Sequence, residues 1–297
     1  MVAAGQGDSA ADENTSPVAI VCGGGALPFA VAAAMVRRGR RVFLLPIEGW
    51  ADPRAVEAYP HAWMKLGQFG RAQRLARNAG CHDVVCIGTL RRPLLRSMKL
   101  DWTTVRLLPR LYRLYRGGDD YLLSGVGRLV EDHGFRLLGA HEVAPEILVP
   151  EGVLSLARAS PGHLADATRG FAVLEAVGVF DVGQAAVVCD GRVLAIEGAE
   201  GTDAMLKRVT ELRRSGRVRF ADGSGVLVKA TKPGQERRLD LPAIGPITVQ
   251  GVREAGLGGI AVRADEVLMA EPAALVAAAD RAKLFLLGVA PKAAPYA

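Results

Sequence analysis

The sequence predicts a two-domain α/β protein, with a Rossmann-like N-terminal domain on a parallel sheet and a mixed α+β C-terminal domain. Three observations predict it. The chain has 297 residues, 50% of them hydrophobic, which is more than a single core usually organises. In the first half, short apolar runs alternate with helical patterns across glycine turns, the grammar of βαβ units. In the second half a hairpin comes first, and helices and strands then interleave in mixed order. Pro145, Pro150 and Gly152 mark the border, so the domains are expected over 17–145 and 146–297.

Residues 1–16 are small, polar or acidic and lack the basic start and apolar centre of a signal peptide. They predict a disordered tail. The run 18–22 predicts a strand, followed by the turn Gly23-Gly24-Gly25, a helix over 27–38 and a second strand over 41–47. A helix over 65–79 and a strand over 83–87 follow, then helices over 107–115 and 120–132 and a strand over 136–139. In the C-terminal domain, strands over 183–189 and 192–197 are joined by Asp190-Gly191, a strong hairpin dipeptide. Helices are expected over 202–213, 248–255 and 272–283, and strands over 225–229 and 284–289. The runs 260–262 and 267–269 look like one further strand pair.

The formal charge is +6, with basic residues concentrated from Arg91 to Arg116 and from Arg208 to Arg219. Such patches suit phosphates or an anionic membrane face. Aromatic residues make up only 5% and do not interleave as a base-stacking platform, which speaks against nucleic acid. No apolar run approaches the ~20 residues that span a bilayer. The four cysteines form no C-x-x-C pair and are expected as reduced thiols of a cytoplasmic protein. The histidines lack zinc-ligand spacing and no G-x-S-x-G elbow appears, so zinc and nucleophilic acyl chemistry have no support.

Four stretches could carry chemistry. Gly23, Gly24, Gly25 and Leu27 stand where a strand passes into a helix, a place where backbone N–H groups meet phosphate or simply turn tightly. Gly117-Gly118-Asp119-Asp120 opens a helix, as a cap or as a ligand contact. Asp181, Gln184, Glu197, Glu200, Thr202 and Asp203 gather acids and amides at strand ends and a helix start. There, charge is costly unless capped, paired or bound to a ligand. Finally, Lys229 and Lys232 leave an apolar strand for a Pro-Gly loop carrying Gln235, Glu236 and Asp240. Lysines neutralise phosphate oxygens, and carboxylates hold Mg²⁺, a hard ion that shares its oxygens with phosphates. The same stretch also reads as a solvated charged loop.

Taken together, these segments resemble the UDP-2,3-diacylglucosamine pyrophosphatases of lipid A biosynthesis of alphaproteobacterial type. The resemblance runs from about Val18 to Val289. Its markers are Gly23 to Pro28, Ala51-Asp52-Pro53, Gly118 to Asp120, Gly139 to Glu142, Asp181 to Gln184, Glu200 to Leu206 and Lys229 to Gly245. It implies hydrolysis of a lipid-linked UDP-sugar to UMP and 2,3-diacylglucosamine 1-phosphate (lipid X), with Mg²⁺ (or Mn²⁺) assisting water at the uridine-side phosphorus. It also implies substrate bound between the two domains and a homodimer, while the basic, partly apolar stretch from Arg91 to Arg116 itself suggests peripheral contact with the cytoplasmic face of the inner membrane. The family's essential aspartate, in its Asp-Leu-Pro-x-Ile-Gly motif, falls on Asp240. Glu200 and Asp203 are secondary catalytic candidates, and Glu236, a carboxylate of the same loop as Asp240, is the second candidate metal ligand. Lys229, Lys232, Gln235, Gln184, Thr202, Asp119 and the glycine turn are implied as substrate contacts. Arg91-Arg92-Pro93 departs from the family pattern. Two rivals stand beside this reading: a non-catalytic nucleotide-sugar-binding protein and an NAD-dependent oxidoreductase. The incomplete glycine fingerprint and the missing acidic ribose ligand argue against the oxidoreductase.

Overall fold

The computed structural model describes residues 16–90, 99–115 and 119–290, the side chains of 115, 119 and 120 excepted. The chain forms two compact units, Met1–Ala144 and Pro145–Ala297. The tail expected over 1–16 lies outside the described residues but for Ser16, and Arg91-Arg92-Pro93 lies outside them as well.

The first unit is built on strands β1 (Val18–Cys22), β2 (Val42–Pro46), β3 (Asp83–Ile87) and β4 (Arg136–Leu138). They form a parallel sheet in the order β2-β1-β3-β4. A parallel sheet is covered on both faces, so its strands read as continuous apolar runs. Val18, Ala19, Ile20 and Cys22 are accordingly fully buried. Helices α1 (Leu27–Arg37), α2 (Pro53–Val56), α3 (Phe69–Asn78), α4 (Trp102–Tyr115), α5 (Asp119–Asp132) and α6 (Ala140–Val143) complete the unit. Buried Asp83 accepts from Arg136 at 2.8 Å and from Arg40 at 3.2 Å, tying the starts of β3 and β4 to the turn before β2.

Two helix starts in this unit differ from the expected ones. α3 begins at Phe69 rather than at 65. α4 begins at Trp102 rather than at 107 because Asp101 caps it. Its carboxylate accepts from Thr104 N at 2.9 Å and Thr104 Oγ1 at 2.8 Å, and capping of this kind satisfies amides that a helix start leaves open.

The second unit holds a six-stranded mixed sheet in the order β5-β12-β10-β8-β6-β7. These are β5 (Gly152–Val153), β6 (Ala185–Cys189), β7 (Arg192–Ile196), β8 (Val226–Lys229), β10 (Gly259–Arg263) and β12 (Phe285–Val289). β8, β10 and β12 are parallel, while β5, β6 and their neighbours run antiparallel. A separate parallel pair joins β9 (Ala243–Ile244) to β11 (Leu268–Met269). The strand pair expected between 260–262 and 267–269 is therefore corrected: β10 sits between β8 and β12, and β11 pairs with β9. Pairing partners so distant in sequence leave no local signal.

The period-two alternation of strands splits this core in two. Val187, Leu227, Ile260 and Leu286 face helices α8 (Thr202–Arg214), α9 (Pro246–Glu254) and α10 (Pro272–Ala282). Ala186, Val226, Val228 and Phe285 face α7 (Pro161–Gly178). The sequence pattern did not predict α7, although Ser160 caps it by accepting from His163 N at 3.2 Å. Its interior Gly170 explains why. A Cβ there would stand 2.4 Å from Val228 Cγ2, so close packing on β8 requires a residue that weakens the helical signal. Asp166 of α7 accepts from Asp190 N at 2.9 Å and Gly191 N at 2.7 Å, fastening the helix to the β6–β7 turn. Among the described residues, no helix is long and apolar enough to cross a membrane.

Candidate active site

In the second unit β6 starts where β8 ends, with Ala185 opposite Lys229. β7 ends beside them, as Glu197 N donates to Ala185 O at 2.8 Å. The ends of parallel strands in α/β sheets are where ligands collect. Here the sequence puts an uncommon density of buried polar side chains: Lys229, Lys232, Gln235 and Thr202 are all buried.

Asp240 is the centre of this group. Its Oδ2 accepts from Gln184 Nε2 at 3.0 Å and from Gln235 Nε2 at 2.5 Å, and Gln235 Nε2 also donates to the Asp240 carbonyl at 3.0 Å. Its other oxygen, Oδ1, has no hydrogen-bond partner among the described residues. Burial raises the Asp240 carboxyl above its usual range, even though Lys232, the two glutamines and Lys229 favour its charged form.

The two lysines are held firmly. Lys229 Nζ donates to Thr202 Oγ1 at 2.8 Å and to the Ala243 carbonyl at 3.0 Å. Burial pushes its pKa below the ordinary lysine value, against the pull of Glu197, Asp203 and Asp240. Lys232 pairs with Asp181, and its backbone N–H donates to Gln235 Oε1 at 2.8 Å, which shapes the Pro233-Gly234 loop. Asp181 occupies the left-handed region at φ 58°, a conformation that Asp tolerates better than most residues.

The structure thus brings together Asp240, Gln184, Gln235, Lys229, Lys232 and Thr202. The side chains of the remaining expected acids of this unit pair elsewhere or face solvent, although the Asp203 charge acts on Lys229 and the Glu236 carbonyl accepts from Asp240 N at 3.0 Å. Glu200 pairs with Arg208 at 2.8 Å, and Asp203 is exposed in the first turn of α8. Glu236 is gripped by Arg238 through Nε at 2.9 Å and Nη2 at 2.8 Å. In the first unit Gly23 N donates to Ile87 O, Gly24 N donates to Thr89 O and Thr89 N donates to Gly24 O, each at 2.9 Å. A Cβ on Gly23 would stand 2.8 Å from the Gly88 carbonyl carbon. These two glycines therefore serve the close approach of the chain after β3. Gly25 has φ 86° with open space around it, and Leu27 begins α1. Asp119 begins α5, while Gly117 and Gly118 lie outside the described residues, as does the Asp119 side chain.

Asp181 and Glu197 stood in the acid-rich stretch of the sequence without an assigned role, and the structure gives both of them partners within the cluster. The signal for Glu197 was a lone carboxylate continuing an apolar strand. The Ala243 carbonyl carried no signal at all. The cysteines offer no nucleophile, since burial pushes Cys22, Cys86 and Cys189 up to about 12 and Cys81 to about 11.

A Mg²⁺ ion would find no cage of protein acids, because the described residues contain no group of three or more His, Cys, Asp or Glu able to hold a metal. One carboxylate oxygen does fit it, because Mg²⁺ commonly binds through one or two carboxylates together with substrate phosphates and water. Asp240 Oδ1 offers such a ligand, while Glu236 is engaged by Arg238.

The family model described as the LpxI N-terminal domain matches residues 17–147, and that of the LpxI C-terminal domain matches residues 150–287. A curated protein of Caulobacter vibrioides, "UDP-2,3-diacylglucosamine pyrophosphatase LpxI", is 42% identical over 277 residues, 93% of this chain and 98% of the relative. With both domain models matched and that relative aligned over nearly its whole length, the chain belongs to the LpxI family.

Proposed function

We propose that the chain hydrolyses UDP-2,3-diacylglucosamine to UMP and lipid X in lipid A biosynthesis, by attack of water on the uridine-side phosphorus. The name of the Caulobacter relative supports the substrate. The observation that carries the chemistry is the half-buried Asp240 carboxylate, fixed through one oxygen by Gln184 and Gln235. Two buried lysines, Lys229 and Lys232, stand near enough to bias its ionisation.

A diphosphate repels its nucleophile, so electrostatic positioning carries most of the rate. Lys229 spends two of its three N–H donors on Thr202 and Ala243, and the third is the one a phosphate oxygen takes. Asp240 orients the attacking water or serves as the ligand of Mg²⁺, and both roles use Oδ1. As a base, Asp240 gains from its raised pKa, which brings it closer to the working pH. Bound there, Mg²⁺ (or Mn²⁺) supplies Lewis acidity towards the phosphoryl oxygens. Turnover in ¹⁸O-labelled water with Mg²⁺, followed by mass spectrometry, is expected to place the label in UMP, and EDTA is expected to stop the reaction. Label in lipid X would overturn the site of attack. Binding without any turnover would favour a nucleotide-sugar-binding protein.

We further propose peripheral contact with the inner membrane through α4. Its Trp102 and Tyr112 are 68% and 50% exposed, and Arg106 stacks over Trp102 at 5.3 Å. Exposed aromatics beside arginines suit an anionic lipid interface. Flotation with anionic vesicles is expected to lose most of the bound protein on the double change Trp102→Glu and Tyr112→Glu. Unchanged flotation would remove this proposal.

A further inference from the structure

We propose that Glu197 is a positioning residue for this reaction, one carboxylate that holds the acidic and the basic arm of the site together. The inference rests on the functional reading above and deepens it. Glu197 Oε2 accepts from Gln184 N at 2.9 Å, and Glu197 Oε1 accepts from Thr202 Oγ1 at 2.8 Å. Each contact leads to a reacting group. Gln184 passes its amide on to Asp240 at 3.0 Å. Thr202 receives Lys229 Nζ at 2.8 Å.

The direction of every hydrogen bond in the second arm is fixed by chemistry. A carboxylate only accepts and an ammonium only donates. The Thr202 hydroxyl must therefore give its proton to Glu197 and turn a lone pair to Lys229. Without Glu197 the hydroxyl is free to rotate, and Lys229 loses an oriented acceptor. The backbone of Glu197 tightens the first arm further. Its N–H donates to Ala185 O at 2.8 Å, and a Cβ on Gly183 would lie 2.1 Å from the Glu197 carbonyl oxygen. Gly183 sits at φ 49°, so the turn entering β6 is pressed on Glu197 by a residue that accepts both the conformation and the crowding. The same turn carries Asp181, the partner of Lys232. A carboxylate at the end of β7 thus sets where Asp240 and Lys229 stand relative to each other.

Two single changes separate reach from charge. Glu197→Gln keeps the length of the side chain. Its carbonyl oxygen accepts from Gln184 N, and its NH₂ donates to Thr202 Oγ1, which has a second lone pair for Lys229 and turns its own proton away, so both arms stay spanned although the charge is gone. Glu197→Asp keeps the charge and, being one methylene shorter, cannot span both partners. Positioning predicts that Glu197→Gln keeps turnover within about fivefold of the natural chain, whereas Glu197→Asp and Glu197→Ala lose roughly 100-fold, the scale of a misplacement of about 1 Å. The loss should fall on kcat, with KM changing only a few-fold, because Asp240 and Lys229 act on charge that develops in the transition state. UMP release and a melting curve are measured for each variant. If Glu197→Ala does not fold, the ratio of Glu197→Gln to Glu197→Asp decides alone. A ratio of about tenfold or more upholds the inference, and a smaller or inverted ratio overturns it. A natural chain that releases no UMP sinks the functional reading and this inference with it. Normal release of UMP with equal Gln and Asp variants sinks the inference only.

Discussion

Asp240→Asn is expected to lower turnover by roughly 10³-fold or more while leaving the folded protein as stable as before, or more stable. The catalytic part follows from the loss of an ionised oxygen where the base or metal ligand acts, an effect on the order of 10²–10⁴. The stability part follows from burial. Asn still presents an oxygen to the Gln184 and Gln235 amides, which donate to Oδ2 at 3.0 and 2.5 Å. The carboxyl pKa is raised in the fold because desolvation outweighs Lys232, Gln184, Gln235 and Lys229. A group whose folded pKa lies above its unfolded value contributes stability that is present below the ordinary carboxylate range. That contribution is lost as pH rises through the raised value. At neutral pH the ionised Asp240 is therefore a net cost, and Asn removes it. Melting curves in EDTA should show the variant gaining on the natural chain between acid and neutral pH. A variant that melts several degrees lower at neutral pH would contradict this account of burial. Near-normal UMP release would contradict the site itself.

Much of this arrangement was legible in the sequence. Residues 18–22 and 83–87 read as strands because a parallel sheet buried on both faces needs unbroken apolar runs. Asp190-Gly191 announced its hairpin, and the two residues do take φ 50° and 74°. The loop from Lys229 to Gly245 stood out as charge leaving an apolar strand, and it does carry four of the residues brought together at the site: Lys229, Lys232, Gln235 and Asp240. What the sequence did not disclose is long-range. α7 hides behind Gly170, a residue chosen by Val228 across the sheet and not by helix propensity. The strand at 260–262 pairs with neighbours over 30 residues before it and over 20 after it, whereas the nearby run at 268–269 pairs with Ala243–Ile244. The role of Glu197 depends on partners 13 residues before it and 5 after it, which no spacing rule connects. The glycine turn Gly23-Gly24 read equally as a phosphate cradle and as a tight turn. In the structure the amides of both residues donate to carbonyls of residues 87 and 89.

Lys229→Met is expected to lower kcat/KM by about 10²–10³-fold, the scale of removing one preorganised donor from a developing anion. Its effect on stability should run the other way. Lys229 is buried, and desolvation holds its pKa below the ordinary lysine value despite Glu197, Asp203 and Asp240. For a group whose folded pKa is depressed, the stability it contributes is present above the unfolded value and is lost as pH falls through the folded one. At neutral pH burying this basic group is therefore a net cost to the natural chain. Met fills a similar volume without that charge, and the unpaired Ala243 carbonyl offsets part of the gain. The melting temperature of Lys229→Met should equal or exceed that of the natural chain at neutral pH. The gap should close as pH rises towards about 10.4, the ordinary lysine value. Lys229→Arg should not restore activity, because Thr202 Oγ1 and the Ala243 carbonyl, at 2.8 and 3.0 Å, receive a compact ammonium, and the planar guanidinium is larger and differently forked. Full activity in the arginine variant would show that only charge is needed there. A pH-independent gap in melting temperature would show that the lysine is not the group whose burial shapes this site.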